Sequence, residues 1–197
     1  MSALPKRTFT QEEYAMLEEH ADYKSQFVAG EIFAMAGVEP AHDNIVTNLI
    51  GLFYVRFRGR PCRAHTADVK VRVKAGELWT YPDLSVLCGE PKYDRSARPS
   101  SLLNPQAIFE VLSPSTASFD RGDKFERYKR IESLTDYVLV ASESVRVEHY
   151  VRQGGGGWLY HEYHDGADVL RLGSVEVELP LSEIYERVTF PTPDEVG

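Results

Sequence analysis

The sequence predicts an α/β fold in which a mixed β-sheet is flanked by helices and followed by a β-rich C-terminal extension. Its 197 residues are 43% hydrophobic and 26% charged, which is typical of a globular chain able to bury a core. Three apolar strand candidates joined by short loops predict an antiparallel meander. A further strand follows a helix, so it can return parallel to the same sheet through a crossover. We expect one domain over residues 1–197, with a core of about 10–142 and the extension over about 143–190.

The N-terminal part predicts two helices separated by a strand pair. Thr10 and Glu13 have the spacing of a capping box, so a helix should begin at residue 11 with Leu17 on its apolar face. Residues 25–36 are predicted to form a hairpin or a bulged strand pair around a glycine. A helix is expected next over about residues 40–58, where apolar residues recur at helical spacing.

The middle and the tail of the chain supply the strands. Strand candidates in the middle cover residues 64–73, 83–87 and 106–112, with a surface loop at 89–104. A helix from about 121 to 133, capped by Asp120, leads to a strand at 137–141. The tail contains strand candidates at 145–151, 157–163 and 167–178, and a short helix near 182–186.

Charge and cysteine content bear on the partner and the compartment. The net charge is −8, yet residues 56–130 carry 15 basic and 9 acidic side chains. A basic middle between acidic ends indicates a site for an anionic partner, although charge fluctuates along any chain. The only cysteines, Cys62 and Cys88, are expected to be reduced thiols in a cytoplasmic protein. No apolar run is long enough for a membrane span, and the segment around Lys6 and Arg7 does not resemble a secretory signal.

Acidic residues inside apolar strands are the strongest chemical signal. Asp83 follows a proline at the start of one strand, and Glu110 lies inside the apolar run of residues 108–112. A buried carboxylate is costly unless it is paired or binds a cation. Because the two strands are neighbours in a meander, we expect both carboxylates at one edge of the sheet. Glu31 also interrupts an apolar segment, but alone it fits the solvent face of a strand equally well.

A lysine on the following helix completes the set. Lys124 shares a helical face with Tyr128 and Ile131, so it is predicted to point towards the sheet. The alternative is a surface lysine paired with Asp120 or Glu126. Converging Asp, Glu and Lys side chains suit metal-assisted hydrolysis of a phosphodiester, since carboxylates bind Mg²⁺ and an ammonium stabilises developing charge.

The motifs resemble the Uma-two family of restriction-endonuclease-like proteins, part of the PD-(D/E)XK nuclease superfamily. The segments that carry the resemblance are Gly30-Glu31, Pro40-Ala41-His42, Tyr81-Pro82-Asp83, and the stretches 110–116 and 120–128. The resemblance implies a restriction-endonuclease-like mixed sheet over roughly residues 10–150. It also implies that Asp83, Glu110 and the carbonyl of Val111 bind the metal, that Lys124 is the catalytic lysine, and that Glu31 is an auxiliary acid.

The implied function is a Mg²⁺- or Mn²⁺-dependent endonuclease that acts on DNA. One position departs from the superfamily pattern: the lysine expected two residues after the glutamate is Leu112, and the lysine has moved to Lys124. One alternative is therefore an inactive nuclease-like module that binds nucleic acid or a protein. Another is a different hydrolase that uses the same carboxylates. Cutting both strands favours a homodimer, with residues 145–178 as its expected surface. His42 fits a structural or capping role at least as well as a catalytic one.

Overall fold

The computed structural model describes residues 8–35, 37, 39–73 and 78–190, so Lys6 and Arg7 lie outside the described residues. The helices are α1 (Gln11–His20), α2 (Pro40–Arg56), α3 (Ala117–Phe119), α4 (Phe125–Tyr128) and α5 (Leu181–Ile184). A π-helical segment (Asp120–Lys124) joins α3 to α4, and we call the three pieces together the 117–128 helix. The strands are β1 (Ser25–Val28), β2 (Glu31–Ala34), β3 (Cys62–Thr66), β4 (Val71–Val73), β5 (Leu78–Thr80), β6 (Leu84–Cys88), β7 (Tyr93–Asp94), β8 (Ser101–Leu102), β9 (Ala107–Leu112), β10 (Asp136–Ala141), β11 (Val147–Arg152), β12 (Trp158–Tyr163), β13 (Val169–Leu172) and β14 (Val177–Pro180).

The described strands form two six-stranded sheets and one hairpin. The main sheet has the order β12-β11-β10-β9-β6-β3, and the second sheet has the order β2-β1-β5-β4-β8-β7. In the main sheet, β3, β6 and β9 are antiparallel neighbours as predicted, and β10 returns parallel to β9 as expected. The short loops expected between the first three strands were wrong, because the chain enters the second sheet between them, first as β4 and β5 and then as β7 and β8. Strands β11 and β12 extend this sheet antiparallel, and β13 pairs with β14. The mixed α/β architecture predicted from the sequence is confirmed.

Both faces of the main sheet are covered, which makes it the central layer. On one face, α2 packs together with β13, β14 and α5 in a single apolar cluster that includes Phe53, Phe109 and Leu179. On the other face, the second sheet and the 117–128 helix pack around a cluster that includes Ile108 and Tyr128. Side chains alternate along a strand, so Glu110 points to the same face as Ile108 and lies under the 117–128 helix.

The N-terminal hairpin and α1 are largely as predicted. Strands β1 and β2 form a tight hairpin whose turn residues, Ala29 and Gly30, have φ angles of 47° and 92°. The capping box that begins α1 is present. The placement of Leu17 on the apolar face was wrong, since Leu17 is 52% exposed and Glu18 is buried instead. Burial of Glu18 is possible because its carboxylate accepts hydrogen bonds from the hydroxyl groups of Ser25 and Tyr81.

Four of the predicted element boundaries were wrong. The single strand expected at 64–73 is two strands, because the chain turns after β3 and enters the second sheet as β4. The strand expected at 167–178 is the hairpin of β13 and β14. The expected surface loop at 89–104 includes the short strands β7 and β8. The 117–128 helix begins before Asp120 and ends well before residue 133, so Asp120 lies inside the helix instead of capping it.

The expectation of reduced cysteines was also wrong. Cys62 and Cys88 form a disulfide, because they lie directly opposite each other in the antiparallel pair of β3 and β6. The register that brings them together joins residues 26 positions apart and is not visible in a local pattern. The cytoplasmic location relied partly on these thiols, and it stays a prediction. None of the helices within the described ranges combines the length and the apolarity needed to cross a membrane.

Candidate active site

Asp83 and Glu110 meet on neighbouring strands of the main sheet. Leu84 lies opposite Phe109 in the pairing of β6 with β9, which puts Asp83 level with Glu110. Oδ2 of Asp83 accepts a hydrogen bond of 2.7 Å from the backbone N–H of Val111. The convergence predicted from the meander is therefore what the structure has, and Val111 contacts Asp83 through its amide group.

Lys124 lies between two buried carboxylates. Its Nζ atom is 2.8 Å from Oε1 of Glu110 and 3.0 Å from Oδ1 of Asp120. The side chains of Lys124, Glu110 and Asp120 are 8%, 4% and 4% exposed. The prediction that Lys124 points towards the sheet is confirmed, and the surface-lysine alternative is wrong. Asp120 is one of the partners that alternative named, but the pair is buried.

The helix that carries Lys124 is locally irregular. Its π-helical segment begins at Asp120 and ends at Lys124. Gly122, between them, has non-helical angles of φ −103° and ψ −108°. The helix is therefore two pieces joined by a kink at this glycine. The backbone here is further held by Tyr137, whose hydroxyl donates a hydrogen bond of 2.9 Å to the carbonyl of Asp120. The irregular turn therefore has a defined attachment to β10.

Burial and charge set the protonation of this cluster. Burial raises the pKa of Glu110 to about 8, with the charges of Asp120 and Asp83 adding to the rise and Lys124 opposing it. Burial disfavours the charged form of Lys124, but Glu110 and Asp120 outweigh it and raise the pKa of the ammonium above its ordinary value. Burial and the charge of Glu110 also raise the pKa of Tyr128 well above its ordinary value. Tyr128 therefore stays protonated, and its hydroxyl donates a hydrogen bond of 2.9 Å to Oε1 of Glu110.

His42 is a member of the cluster that the sequence analysis did not assign to the site. It lies in the first turn of α2, and its Nε2 atom is 3.3 Å from Oδ2 of Asp83. The histidine is 8% exposed, and its Nδ1 atom is buried with no hydrogen-bond partner among the described residues. The available signal was its position in the Pro40-Ala41-His42 segment. Asp120 was also missed, because its place before a predicted helix indicated a capping residue.

Glu31 and Leu112 are placed differently from this cluster. Glu31 lies on β2, at the edge of the second sheet, so its role as an auxiliary acid stays a prediction. Leu112 is 5% exposed and belongs to the apolar cluster beneath the 117–128 helix. The position two residues after Glu110, where the resemblance led us to expect a lysine, is thus part of the core. Lys124 reaches Glu110 from the helix instead.

The donor set suits a hard divalent cation. Among the described residues, neither Oδ1 of Asp83 nor Oε2 of Glu110 accepts a hydrogen bond. No group of three or more His, Cys, Asp or Glu side chains in the described ranges has the arrangement of a metal site. Mg²⁺ does not require three such ligands, since proteins often bind it through one or two carboxylates and leave it several waters. Two carboxylates at this point therefore fit Mg²⁺ or Mn²⁺ better than Zn²⁺.

Comparison with known proteins identifies the family and the fold of this chain. Residues 11–182 match the Uma2 family, which is described as "putative restriction endonuclease". Two relatives from Synechocystis, the uncharacterized proteins slr1290 and sll1609, are each 35% identical, and the matches cover 91% and 79% of this chain and 92% and 88% of theirs. The crystal structure of a "putative nuclease belonging to DUF820" from Anabaena variabilis has the same fold. It gives a TM-score of 0.75 at 16% identity, covering 92% of this chain and 99% of that one.

Proposed function

Because this chain belongs to the Uma2 family of restriction-endonuclease-like proteins, we propose that it is a Mg²⁺- or Mn²⁺-dependent endonuclease that hydrolyses phosphodiester bonds in DNA. The observation that carries the proposal is the buried Lys124 between Glu110 and Asp120, beside Asp83. The cluster combines three carboxyl groups, those of Asp83, Glu110 and Asp120, with the single ammonium group of Lys124. A divalent cation between Asp83 and Glu110 would supply the positive charge that lets Glu110 lose its proton.

Asp83 and Glu110 are the proposed metal ligands, with the carbonyl of Val111 as a further oxygen donor. A bound Mg²⁺ would polarise the scissile phosphate and lower the pKa of a bound water. His42 is proposed to hold the carboxylate of Asp83 in a fixed orientation, because its Nε2 atom lies next to Oδ2. The N–H of Val111 donates a hydrogen bond to the same oxygen. Oδ1 of Asp83 is then the oxygen that faces the cation.

We propose that the ammonium group of Lys124 contacts the scissile phosphate and the attacking water. Its ammonium keeps its charge in this site because Glu110 and Asp120 are close. A fixed cation at this point stabilises the negative charge that builds on the phosphate oxygens as the bond to the leaving oxygen breaks. Asp120 is a positioning residue in this scheme, since it touches Lys124 and holds the ammonium near Glu110.

The test is nicking of supercoiled plasmid DNA by the purified protein with Mg²⁺, with Mn²⁺ and with EDTA. Asp83→Asn and Glu110→Gln should each abolish metal-dependent nicking while the circular dichroism spectrum stays native. The matched control is Asp123→Asn, which removes a charge from an exposed residue next to Lys124. Nicking by Asp83→Asn at the native rate would contradict the proposed ligand set.

A second candidate is a nuclease-like module that binds nucleic acid or a protein without cutting. The observation in its favour is Leu112, an apolar core residue where the superfamily has its lysine. This candidate predicts that the native protein binds DNA yet nicks none with any of the divalent metals. Metal-dependent nicking that is lost in Glu110→Gln would exclude it.

Cleavage of both DNA strands is most direct with two active sites, so we also propose a homodimer. The proposed surface is in the β-rich extension, where β12 is the edge strand of the main sheet. Leu159 and Tyr160 on that strand are 47% and 45% exposed, which is unusual for apolar side chains of a sheet. Light scattering should give twice the mass of the chain, and Leu159→Lys should give the monomer. A native protein that is strictly monomeric contradicts this proposal.

A further inference from the structure

A second charged cluster lies on the same face of the main sheet as Glu110. In the strand registers, Glu110 is opposite Leu139, Leu139 is opposite Glu148, and Glu148 is opposite Glu162. Residues directly opposite each other in a sheet point to the same face. Neighbouring strands are about 4.8 Å apart, so Glu148 lies roughly 10 Å from Glu110 along this row.

Glu148 is a buried carboxylate that holds two arginines. Arg121 donates from Nε to both carboxylate oxygens, at 3.0 and 3.1 Å, and from Nη2 at 2.6 Å. Nη2 of Arg146 is 3.0 Å from Oε1. The side chain of Glu148 is 6% exposed, whereas those of Arg121 and Arg146 are 33% and 37% exposed. Each guanidinium group therefore has one side on the glutamate and another side in water.

The charge of Glu148 needs only one arginine to balance it, so it does not explain why two arginines lie beside this glutamate. Arg121 alone occupies both carboxylate oxygens and supplies one full positive charge. Arg146 is therefore in excess, and its other near carboxylate is Glu162. That contact is 3.9 Å long, beyond hydrogen-bond range, and the side chain of Glu162 is 31% exposed. An anion with better geometry can displace Glu162 from Arg146.

The location of the pair identifies the anion. Arg121 is in the same π-helical segment as Asp120 and Lys124, so the cluster is continuous with the candidate active site. Phosphates of one DNA strand advance about 3.4 Å along the axis per nucleotide, so roughly 10 Å corresponds to a phosphate within about three nucleotides. Planar guanidinium groups match the oxygens of a phosphate better than an ammonium does.

We propose that Arg121 and Arg146 form a phosphate-binding site for the DNA strand that enters the active site, with Glu148 as the residue that positions both arginines. This inference rests on the proposed function, because it assigns the substrate contacts of the same centre. Glu162 acts against binding, since it competes with the phosphate for Arg146.

The test measures binding of a fluorescent DNA duplex by anisotropy, without divalent metal so that no cleavage occurs, between 50 and 200 mM salt. Loss of one phosphate contact should lower the slope of log affinity against log salt by about 0.9, which corresponds to about eightfold weaker binding at 0.1 M salt. Arg146→Gln should show this loss, because Arg121 still neutralises Glu148 and the fold is retained. Arg121→Lys keeps the positive charge but removes the paired donors of the guanidinium group, so it should weaken binding as well.

Matched controls come from the exposed ion pair of Arg171 with Glu178 in the C-terminal hairpin. Arg171→Gln changes the net charge as Arg146→Gln does, and Glu178→Gln changes it as Glu162→Gln does. We expect Glu162→Gln to tighten binding severalfold, and both hairpin variants to stay within twofold of the native protein. The proposal is overturned if Arg146→Gln binds like Arg171→Gln while the native protein binds the duplex. If the native protein binds no duplex, the DNA substrate of the proposed function is contradicted as well.

Discussion

Replacing Lys124 with methionine should destabilise the protein strongly, although a surface lysine would tolerate the change. The substitution leaves Glu110 and Asp120 buried without their cation, at positions now 2.8 and 3.0 Å from Nζ. Breaking a buried ion pair from one side costs about 3–5 kcal/mol. With a urea dependence near 2 kcal/mol per M, the unfolding midpoint should fall by about 1.5–2.5 M.

The loss should depend on pH in a defined direction. In the native protein the pKa of Glu110 is raised to about 8, above its ordinary value of 4.5, so its contribution to stability falls as the pH rises between those values. Lys124 opposes this rise, so its removal raises the pKa of Glu110 further. The destabilisation by Lys124→Met should therefore be larger at pH 8.5 than at pH 5.5, where the protonated carboxyl group needs no cation.

Urea unfolding followed by circular dichroism at both pH values measures this effect. Lys129→Met is the control, because Lys129 pairs with the exposed Glu126 on the same helix and should change stability by less than about 1 kcal/mol. If Lys124→Met is too unstable to purify, the double variant Lys124→Met/Glu110→Gln should recover part of the loss, because only Asp120 then stays buried without its cation. A native midpoint for Lys124→Met at both pH values would refute the buried pair and the reasoning built on it.

Two further substitutions test other parts of the structure. His42→Gln should weaken metal affinity or nicking by roughly 10- to 100-fold with little change in melting temperature, because it removes a partner of Asp83. Equal metal affinity in the two proteins would remove His42 from the site. Gly30→Ala should lower the melting temperature more than Gly89→Ala does. Both glycines have φ near 90°, but only at Gly30 would a Cβ atom meet a neighbour, Thr8, at 3.2 Å. Strain at positive φ costs about 1–2 kcal/mol, or a few degrees in a chain of this length. Similar losses in both variants would contradict the contact with Thr8.

The sequence could predict Asp83, Glu110 and Lys124 of the candidate site because their signals are local. Asp83 and Glu110 stand out as charges in apolar strands, although the chain between the neighbouring strands β6 and β9 passes through β7 and β8 of the second sheet. Lys124 could be placed on the inner face of its helix from the spacing to Tyr128. Its partners could not be identified in the same way, since Asp120 before an apolar helix is equally typical of a capping residue.

The errors concern long-range register and the side of an element that faces the core. Cys62 and Cys88 form a disulfide because β3 and β6 pair in one particular register, and no local pattern specifies that register. Leu17 is exposed because the polar groups of Ser25 and Tyr81 make burial of Glu18 more favourable. Helical periodicity identifies an apolar position, but tertiary partners decide which positions are buried.

Titration of Mn²⁺ into the native protein and into Asp83→Asn, with the free ion followed by electron paramagnetic resonance, measures directly whether Asp83 and Glu110 form a metal centre. We expect one Mn²⁺ site per native chain at pH 8. Asp83→Asn should weaken that site by more than the roughly 10- to 100-fold that an outer-shell partner contributes, since it removes a ligand. Asp123→Asn, with the same charge change at an exposed position, should bind Mn²⁺ like the native protein. Equal Mn²⁺ affinity in native protein and Asp83→Asn, or no binding by either, would contradict a metal centre at Asp83 and Glu110.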